Sequence, residues 1–168
     1  AIVETIGRSI GSEARARGQK AMAIGRDGRL SGPELAAALA TGIRATGIDV
    51  VDVGRVATPM LYYAAHQLAT RSGVMVTGSH NPPDYNGLKI MVGGETFAGE
   101  TIQGLRQRIE RADFTTGTGA YREHDIAEEY LARVAGDAKL ARPMNVIVDC
   151  GNGVAGAFAP ALYRRLGC

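Results

Sequence analysis

The sequence predicts an α/β domain whose mixed, mostly parallel sheet is sandwiched between helices. Short apolar runs with the character of strands alternate along the chain with amphipathic stretches of helical periodicity. This alternation is typical of a largely parallel sheet that helices cover on both faces. The 23 glycines among 168 residues exceed average usage and are spread through the chain, which indicates many tight connecting loops.

The first helix and the first strand are predicted from periodicity alone. Ile2, Ile6 and Ile10 recur at helical spacing with charged residues between them, so residues 2–17 are predicted to form a helix. The apolar run KAMAIG, residues 20–25, then predicts a short strand.

End signals define the second helix. Ser31 is its predicted N-cap, and Glu34 three residues later completes the pattern of a capping box. We expect this helix to run to about Thr46, where Gly47 provides a stop. The run IDVVDV, residues 48–53, predicts the next strand.

The third helix and the two strands after it surround a long polar loop. Thr58 is the predicted cap of this helix, with Pro59 in its first turn. Residues 73–76 and 88–92 predict two strands, and the loop between them is too short for a helical crossover. The second of these strands is therefore expected to run antiparallel to its predecessor or to lie away from it.

Four further elements complete the chain. Residues 99–111 are amphipathic and predict a helix, and residues 125–140 predict another, with Asp125 as its cap. The run NVIVD, residues 145–149, predicts a strand. The turn CGNGVAG that follows it is expected to open a final helix.

Composition and charge argue against several classes of protein. The net charge is only +2, basic residues are scattered among acids, and aromatic residues make up 5%, which does not fit a nucleic-acid-binding face. No apolar run is long enough to span a membrane, and the chain does not open with the pattern of a secretory signal. The two cysteines, Cys150 and Cys168, are too few for a disulfide scaffold and lack metal-ligand spacing, so a cytoplasmic location is expected.

Three loops that follow predicted strands carry candidate functional residues, because ligands of α/β sheets bind at the carboxyl ends of the strands. The first loop comprises residues 26–29 together with Ser31. Its pattern is typical of a solvated turn that contains an Asp–Arg pair and a helix cap. The second and third loops, residues 77–83 and 151–156, carry more specific signals.

The second loop, TGSHNPP, favours a nucleophile or phosphoryl carrier at Ser79. Gly78 is expected to let the backbone turn sharply so that Ser79 projects from the end of the strand, while Pro82 and Pro83 restrict φ. The alternative is a rigid turn in which Ser79 and Asn81 only bond to nearby backbone groups.

A serine hydroxyl needs a neighbour that takes its proton or stabilises developing charge. His80 and Lys89 are the local candidates in the sequence. Lys89 lies on the returning strand, which could bring its ammonium group close to the loop, where it could contact a phosphate or exchange a proton.

The third loop, residues 151–156, fits the pattern G-x-G-x-x-G after a predicted strand and before a helix. It therefore predicts, as an alternative function, a dinucleotide-binding α/β domain that uses Gly151 to Gly156. The acidic residue that such a domain carries about 20 positions later would lie beyond residue 168. A glycine-rich turn also serves simple helix–strand packing, so this signal is weak by itself.

The polar loop between the two strands predicted at residues 73–76 and 88–92, here called the serine loop (residues 77–87), resembles a loop of the α-D-phosphohexomutase family. Three other segments of the sequence share this resemblance. The segment TGSHNPPDYNGLKI resembles the family's active-site loop, and T-G-S-H-N-P is a highly specific motif. The segments GRDGRLSGPEL, TPMLYYA and VIVDCGNGVAG follow the family's order and spacing, so the resemblance covers essentially the whole chain. Within the family, the sequence looks more closely like the bacterial bifunctional phosphomannomutase/phosphoglucomutases.

The resemblance implies reversible transfer of a phosphoryl group between the 1- and 6-positions of mannose or glucose phosphates. Ser79 would carry the phosphoryl group at rest and donate it to the sugar, which gives a hexose 1,6-bisphosphate intermediate. Mg²⁺ would be bound partly by a phosphate oxygen on Ser79. His80 and Lys89 would be active-site neighbours, and Lys89 is the better candidate for proton transfer or phosphate contact.

The resemblance also implies that the chain is incomplete. Family members have four domains, and residues 1–142 would correspond to the first without its N-terminal strand. Residues 143–168 would be the first strand and helix of the second, and CGNGVAG would be a packing turn. The loops that complete the Mg²⁺ site and select the sugar would lie outside this sequence. We therefore expect the isolated chain to be inactive, with hexose phosphates and the remaining domains of the same chain as its partners.

Two other interpretations stay open at this point. The domain could be a non-catalytic phosphate-binding module in which Ser79 is never modified. Alternatively, its specificity could be that of the phosphoglucosamine mutases, which share the serine loop.

Overall fold

A computed structural model describes all residues from 1 to 168 and contains one six-stranded sheet. In chain order its strands are β1 (Ala21–Arg26), β2 (Asp49–Arg55), β3 (Gly73–Val76), β4 (Leu88–Val92), β5 (Glu95–Thr96) and β6 (Tyr121–Glu123). The α-helices are α1 (Ile2–Ala16), α2 (Gly32–Arg44), α3 (Thr58–Gln67), α4 (Glu100–Glu110), α5 (Ala127–Asp137) and α6 (Ala159–Arg165), and a 3₁₀ turn spans Val154–Ala157. None of the helices has the length and apolar character needed to cross a bilayer.

The sheet is mixed, as predicted, with the strand order β5-β4-β3-β1-β2-β6. Strands β3, β1, β2 and β6 are parallel to one another, whereas β4 is antiparallel to both β3 and β5. The short connection after β3 therefore returns the chain as the adjacent antiparallel strand, one of the two arrangements expected from its length. Two parallel strand ends, those of β1 and β3, lie side by side at the centre of this sheet.

Alternate residues of the central strands contribute to two hydrophobic clusters on opposite faces of the sheet. Met22 and Ile24 of β1 pack in the larger cluster with residues of α1, α2 and α4, while Ala23 packs in the smaller one with residues of α3. Both faces of the sheet are thus covered by helices, which explains why these strands read as continuous apolar runs. Phe158, just before α6, also packs against the smaller cluster.

Helices α1 and α2 approach each other closely because glycines lie at their contact. A Cβ atom at Gly42 would overlap the carbonyl oxygen of Glu4 and come within 2.9 Å of the Arg8 nitrogen. A Cβ atom at Gly7 would come within 2.5 Å of the Leu39 carbonyl oxygen. The glycines therefore allow backbone contact between two helices that cover the same face of the sheet.

The predicted helix ends need three corrections. Ser31 is the N-cap residue of α2, as predicted, but its hydroxyl makes no capping bond and instead donates to Oδ1 of Asn86 at 2.9 Å, so the capping box does not form. Thr58 is the first residue of α3 rather than its cap. Asp125 lies one residue before the N-cap of α5, although its Oδ1 accepts the Ala127 N–H at 2.9 Å. The predicted stop at Gly47 is confirmed, since α2 ends at Arg44 and Gly47 has a φ of +87°.

The strand predicted at residues 145–149 is absent. This segment has no secondary structure, and Ile147 is 98% exposed. A strand exists only when its backbone groups pair with a neighbour, and this segment pairs with no strand of the sheet. Its apolar pattern therefore has no partner among the described residues.

Candidate active site

The three loops singled out in the sequence come together at the carboxyl end of the sheet. They contribute most of the lining of one open cavity of about 550 Å³. Residues 27–29 follow β1, Thr77 and Ser79 follow β3, and residues 152–155 form the opposite wall. Because β1 and β3 are adjacent and parallel, the two loops that follow them lie next to each other at the carboxyl end of the sheet.

Ser79 is exposed and lies three residues beyond the end of β3. Its φ of +53° places it in the left-handed region, which is uncommon for a residue with a side chain. Its N–H donates to Oγ1 of Thr77 at 2.9 Å. A left-handed conformation costs an L-residue about 1–2 kcal/mol and persists only where surrounding contacts impose it.

Arg29, from the first loop, donates hydrogen bonds to three carbonyl oxygens of this segment. Its Nη2 donates to the carbonyl oxygen of Ser79 at 3.2 Å and to that of Asn81 at 2.7 Å. Its Nη1 donates to the carbonyl oxygen of Pro82 at 2.5 Å. The Arg29 side chain is only 12% exposed, although the loop carbonyls that it reaches lie on exposed residues. The sequence placed Arg29 in a candidate loop, but it could not show these contacts, because the partners of Arg29 lie about fifty positions away.

Asp27 completes the link between the two loops. Its Oδ1 accepts the backbone N–H of Arg29 at 3.0 Å. Its Oδ2 accepts Nε of Arg29 and the backbone N–H of Gly78, each at 3.3 Å. The Asp–Arg pair predicted in this turn is thus present, but it holds the serine loop rather than standing in solvent.

Gly78 has a different role from the one expected. Its φ is not positive, and the left-handed residue of the turn is Ser79 itself. A Cβ atom at Gly78 would instead overlap Cζ and Nε of Arg29. Glycine is needed here so that the guanidinium group can pack against the backbone of the serine loop.

The structure brings His80 to Ser79 but does not bring Lys89 into contact with it. Nδ1 of His80 lies 3.4 Å from Oγ of Ser79, and both side chains are exposed. Lys89 on β4 is exposed and lies opposite Met75 of β3 in the antiparallel register. Directly opposed residues point to the same face, and Met75 lines the cavity. Lys89 therefore projects from the face of the sheet that borders the cavity.

The glycine-rich turn at residues 151–156 lies in the wall of the cavity. Asn152, Gly153, Val154 and Ala155 line it, and Gly151 has a φ of +51°. No strand precedes this turn, so the strand–turn–helix context that a dinucleotide fingerprint requires is absent.

No group of three or more His, Cys, Asp or Glu side chains is arranged to hold a metal ion. Within the cavity, both carboxylate oxygens of Asp27 already accept hydrogen bonds from Arg29 or Gly78. The described residues therefore fit a divalent cation only if a phosphoryl oxygen on Ser79 supplies one ligand and the others come from elsewhere.

A second polar cluster lies beside this site, at the ends of β2 and β6. Nη1 of Arg26 lies 3.2 Å from Oδ1 of Asp52, and the hydroxyl of Tyr121 donates to Oδ2 of Asp52 at 2.9 Å. Partial burial and the hydrogen bond to the Asp52 carboxylate raise the pKa of Tyr121 to about 12. Tyr121 is therefore a neutral hydrogen-bond donor at physiological pH.

Comparison with known proteins identifies the family. Residues 1–116 match the model of phosphoglucomutase/phosphomannomutase, alpha/beta/alpha domain I. The chain is 58% identical over 163 residues to a phosphomannomutase/phosphoglucomutase of Pseudomonas aeruginosa, covering 97% of this chain and 35% of the relative. It is 53% identical over 164 residues to a phosphoglucomutase of Neisseria meningitidis serogroup B, covering 96% of this chain and 36% of that protein.

Solved structures agree with this assignment. A phosphoglucomutase/phosphomannomutase family protein from Burkholderia thailandensis has a TM-score of 0.94 and 51% identity, over 99% of this chain and 38% of that one. A putative phosphomannomutase from Thermus thermophilus has a TM-score of 0.72 and 28% identity, over 83% and 32% of the two chains. The chain thus spans about a third of the length of the curated relatives it matches. It belongs to the phosphoglucomutase/phosphomannomutase family.

Proposed function

We propose that these residues form the phosphoserine domain of a hexose-phosphate mutase, with Ser79 as the phosphoryl carrier. The proposal is supported chiefly by the placement of Ser79, which is exposed at a cavity and held in a left-handed conformation at the carboxyl end of the sheet. A simple connecting turn would not require the partly buried Arg29 that joins this loop to its neighbour. The names of the relatives supply the substrate class, glucose and mannose phosphates.

In the proposed reaction, a hydroxyl oxygen of the sugar phosphate bonds to the phosphorus on Ser79 while the bond from phosphorus to Oγ breaks. The product is a hexose 1,6-bisphosphate, and Ser79 later recovers a phosphoryl group from its other end. The sugar hydroxyl must lose a proton in the first step, and Oγ of Ser79 must gain one. Such transfers depend mainly on positioning and on neutralising the charge of the equatorial oxygens.

His80 and Lys89 are the proposed neighbours in that reaction. The 3.4 Å approach of His80 Nδ1 to Ser79 Oγ supports a proton transfer at Oγ. Lys89 carries a positive charge on the face of the sheet that borders the cavity, which supports contact with the phosphoryl group or proton transfer to the sugar. We keep Lys89 as the stronger candidate, since its flexible side chain can reach toward charge that develops in the cavity.

We also propose that Mg²⁺ assists the transfer, with a phosphoryl oxygen on Ser79 as the only ligand from this chain. When bound, the ion would neutralise negative charge on the transferring group. Its other ligands would have to be provided by residues outside the 168 described here.

We propose that further domains of the same polypeptide complete the site, with residues 1–142 as the first domain and residues 143–168 as the start of the second. The length of the relatives and the exposed apolar segment around Ile147 support this division. The isolated chain would then lack mutase activity. Free Cys150 and Cys168 are consistent with a cytoplasmic location.

Sugar specificity is the finer part of this proposal. Relatives that share 50% identity or more are all named for glucose phosphates, and the Pseudomonas relatives among them also for mannose phosphates. A probable phosphoglucosamine mutase of Thermococcus kodakarensis, 34% identical over 149 residues, represents the competing specificity.

A mass measurement and an activity assay test the proposal together. Peptides covering residues 71–89 from the complete natural protein should carry one phosphoryl group on Ser79, and Ser79→Ala should remove both the modification and the conversion of glucose 1-phosphate. Hexose-phosphate binding that survives Ser79→Ala, with no phosphoserine in the wild type, would instead establish a binding module. Steady turnover by the isolated 168 residues would contradict the need for further domains.

A further inference from the structure

The guanidinium group of Arg29 is the positive charge packed directly against the backbone of the serine loop, and its donors are already engaged. Nε bonds to Asp27, Nη1 to the carbonyl oxygen of Pro82, and Nη2 to the carbonyl oxygens of Ser79 and Asn81. Four of the five N–H groups of an arginine are thus used within the protein. With 12% of its side chain exposed, this arginine has little capacity left for a ligand.

The backbone of Ser79 is held on both sides. Its N–H donates to Thr77 Oγ1, and its carbonyl oxygen accepts from Arg29 Nη2. Thr77 is buried, and Arg29 is partly buried and bonded to Asp27. These two bonds are positioned to maintain the left-handed φ of +53° that a serine does not favour.

We propose that Arg29 is a positioning residue for phosphoryl transfer: it holds Ser79 in its left-handed conformation through the loop carbonyls and does not bind the sugar phosphate. This inference rests on the proposed function of Ser79 and deepens it. Arg29 orients Oγ relative to the cavity, and the charge of the transferring phosphoryl group is neutralised by other groups. Gly78 contributes to the same positioning. A Cβ atom at this position would overlap the guanidinium group where it bonds to these carbonyl oxygens.

The competing role for a cation in a phosphate site is direct contact with the ligand. The two roles differ in their kinetics. Loss of a ligand contact raises KM, whereas loss of positioning lowers kcat with little change in KM. The two roles also differ in the substrate-free protein. Substitution of a positioning residue should make the loop less ordered, whereas substitution of a residue that only binds substrate should not.

Arg29→Lys is the decisive variant, since it keeps the charge but cannot donate to three carbonyl groups and a carboxylate at once. In the complete natural protein, we expect kcat to fall about 100-fold, with KM for glucose 1-phosphate within about twofold of the wild-type value. Hydrogen exchange should rise roughly tenfold at the loop amides of Gly78, Ser79, Asn81 and Tyr85 and remain unchanged in β1.

Arg26→Lys is the matched control. Arg26 lies three positions earlier, is paired with Asp52 and is partly buried, but it makes no hydrogen bond to the serine loop. We expect it to leave hydrogen exchange at the loop amides unchanged. Gly78→Ala provides a second test that retains Arg29, since its Cβ would displace the guanidinium and should raise exchange at the same loop amides.

Three outcomes would overturn the inference. A higher KM with unchanged loop exchange would make Arg29 a ligand for substrate. Faster exchange throughout the chain in Arg29→Lys, matched by Arg26→Lys, would indicate a general loss of stability. Unchanged loop exchange in both Arg29→Lys and Gly78→Ala would show that Arg29 does not hold the loop. If the wild-type protein carries no phosphoserine and no mutase activity, the proposed function fails, and loop exchange still decides whether Arg29 orders Ser79.

Discussion

Arg29 and Ser79, fifty positions apart in sequence, are joined by a hydrogen bond of 3.2 Å from Nη2 of the arginine to the serine carbonyl oxygen. This bond unites the turn after β1 with the turn after β3. The candidate nucleophile is therefore positioned by a neighbouring strand end, and not only by the prolines and glycine of its own loop. Substitutions in this link, and in the packing beneath it, have distinct expected effects.

Asp27→Asn should weaken the link between the two loops. The carboxylate of Asp27 accepts three N–H groups, and the single amide oxygen of asparagine would leave at least one of them without its acceptor. We expect the free energy of unfolding to fall by about 1–3 kcal/mol in urea titrations. Asp49→Asn is the control, because Asp49 accepts one N–H, from Ala120, and asparagine retains an acceptor there. Equal losses in the two variants would contradict this account.

Lys89→Met and His80→Gln should separate the proposed roles of these two neighbours of Ser79. We expect Lys89→Met to lower kcat for glucose 1-phosphate about 100-fold or more, as is usual for loss of an acid–base or phosphate-contacting group. His80→Gln should cost less, because the contact with Ser79 Oγ is long at 3.4 Å and glutamine can still accept a hydrogen bond. Lys20→Met is the control. Lys20 precedes β1, at the opposite end of this strand from the site, so the substitution should leave kcat unchanged. A larger loss for His80→Gln than for Lys89→Met would reverse the assignment.

Gly42→Ala should destabilise the contact between α1 and α2, although alanine favours helices. Its Cβ would overlap the Glu4 carbonyl oxygen, and overpacking of this kind costs about 1–3 kcal/mol. Gly104→Ala in α4 is the matched control, since no atom lies within 4 Å of its added Cβ. It should stabilise the protein by up to about 1 kcal/mol. Thermal unfolding of both variants shows whether each substitution raises or lowers the stability of the protein. A stabilising Gly42→Ala would show that the helices can separate at no cost.

Glu13→Gln should change how stability depends on pH. Burial opposes ionisation of Glu13, but hydrogen bonds and charge from Arg17 and Arg108 outweigh it and lower the pKa of this carboxyl below its ordinary value of 4.5. A lowered pKa in the folded state gives stability that is present above pH 4.5 and is lost as pH falls through the folded-state value. The wild type should therefore be more stable than Glu13→Gln at pH 7, and the difference should shrink in acid.

The control for this pH experiment is Glu110→Gln. Glu110 pairs with Arg106, but the two side chains are 55% and 71% exposed, so the pair should contribute little. Urea midpoints measured from neutral pH down to about pH 3 compare the two variants over the range in which carboxylates titrate. A Glu13→Gln difference that stays constant across that range would exclude ionisation as its cause.

Much of the fold could be predicted because it depends on local patterns. Periodicity located α1, and apolar runs located β1 and β3, since alternate residues of these strands enter cores on both faces of the sheet. The short connection after β3 limited β4 to two arrangements, and the structure has the antiparallel one. The T-G-S-H-N-P motif by itself indicated Ser79 as the candidate site residue.

The predictions that were wrong depend on partners distant in sequence. Ser31 occupies the predicted N-cap position, but its hydroxyl donates to Asn86, so the predicted capping box with Glu34 does not form. Residues 145–149 match a strand pattern, but no strand of the sheet pairs with them. In both cases a local preference of small magnitude is outweighed by the presence or absence of a tertiary neighbour.

The sequence by itself indicated the class of the domain and most of its elements, though not the short strands β5 and β6, and it indicated Ser79 as the candidate site residue. Only the tertiary structure decided how that residue is held. The adjacency of β1 and β3 brings Asp27 and Arg29 to the serine loop, and the guanidinium then sets both the conformation of Ser79 and the need for glycine at position 78. The physical reason is that hydrogen bonds and steric contacts act between neighbours in space, and sheet pairing defines those neighbours.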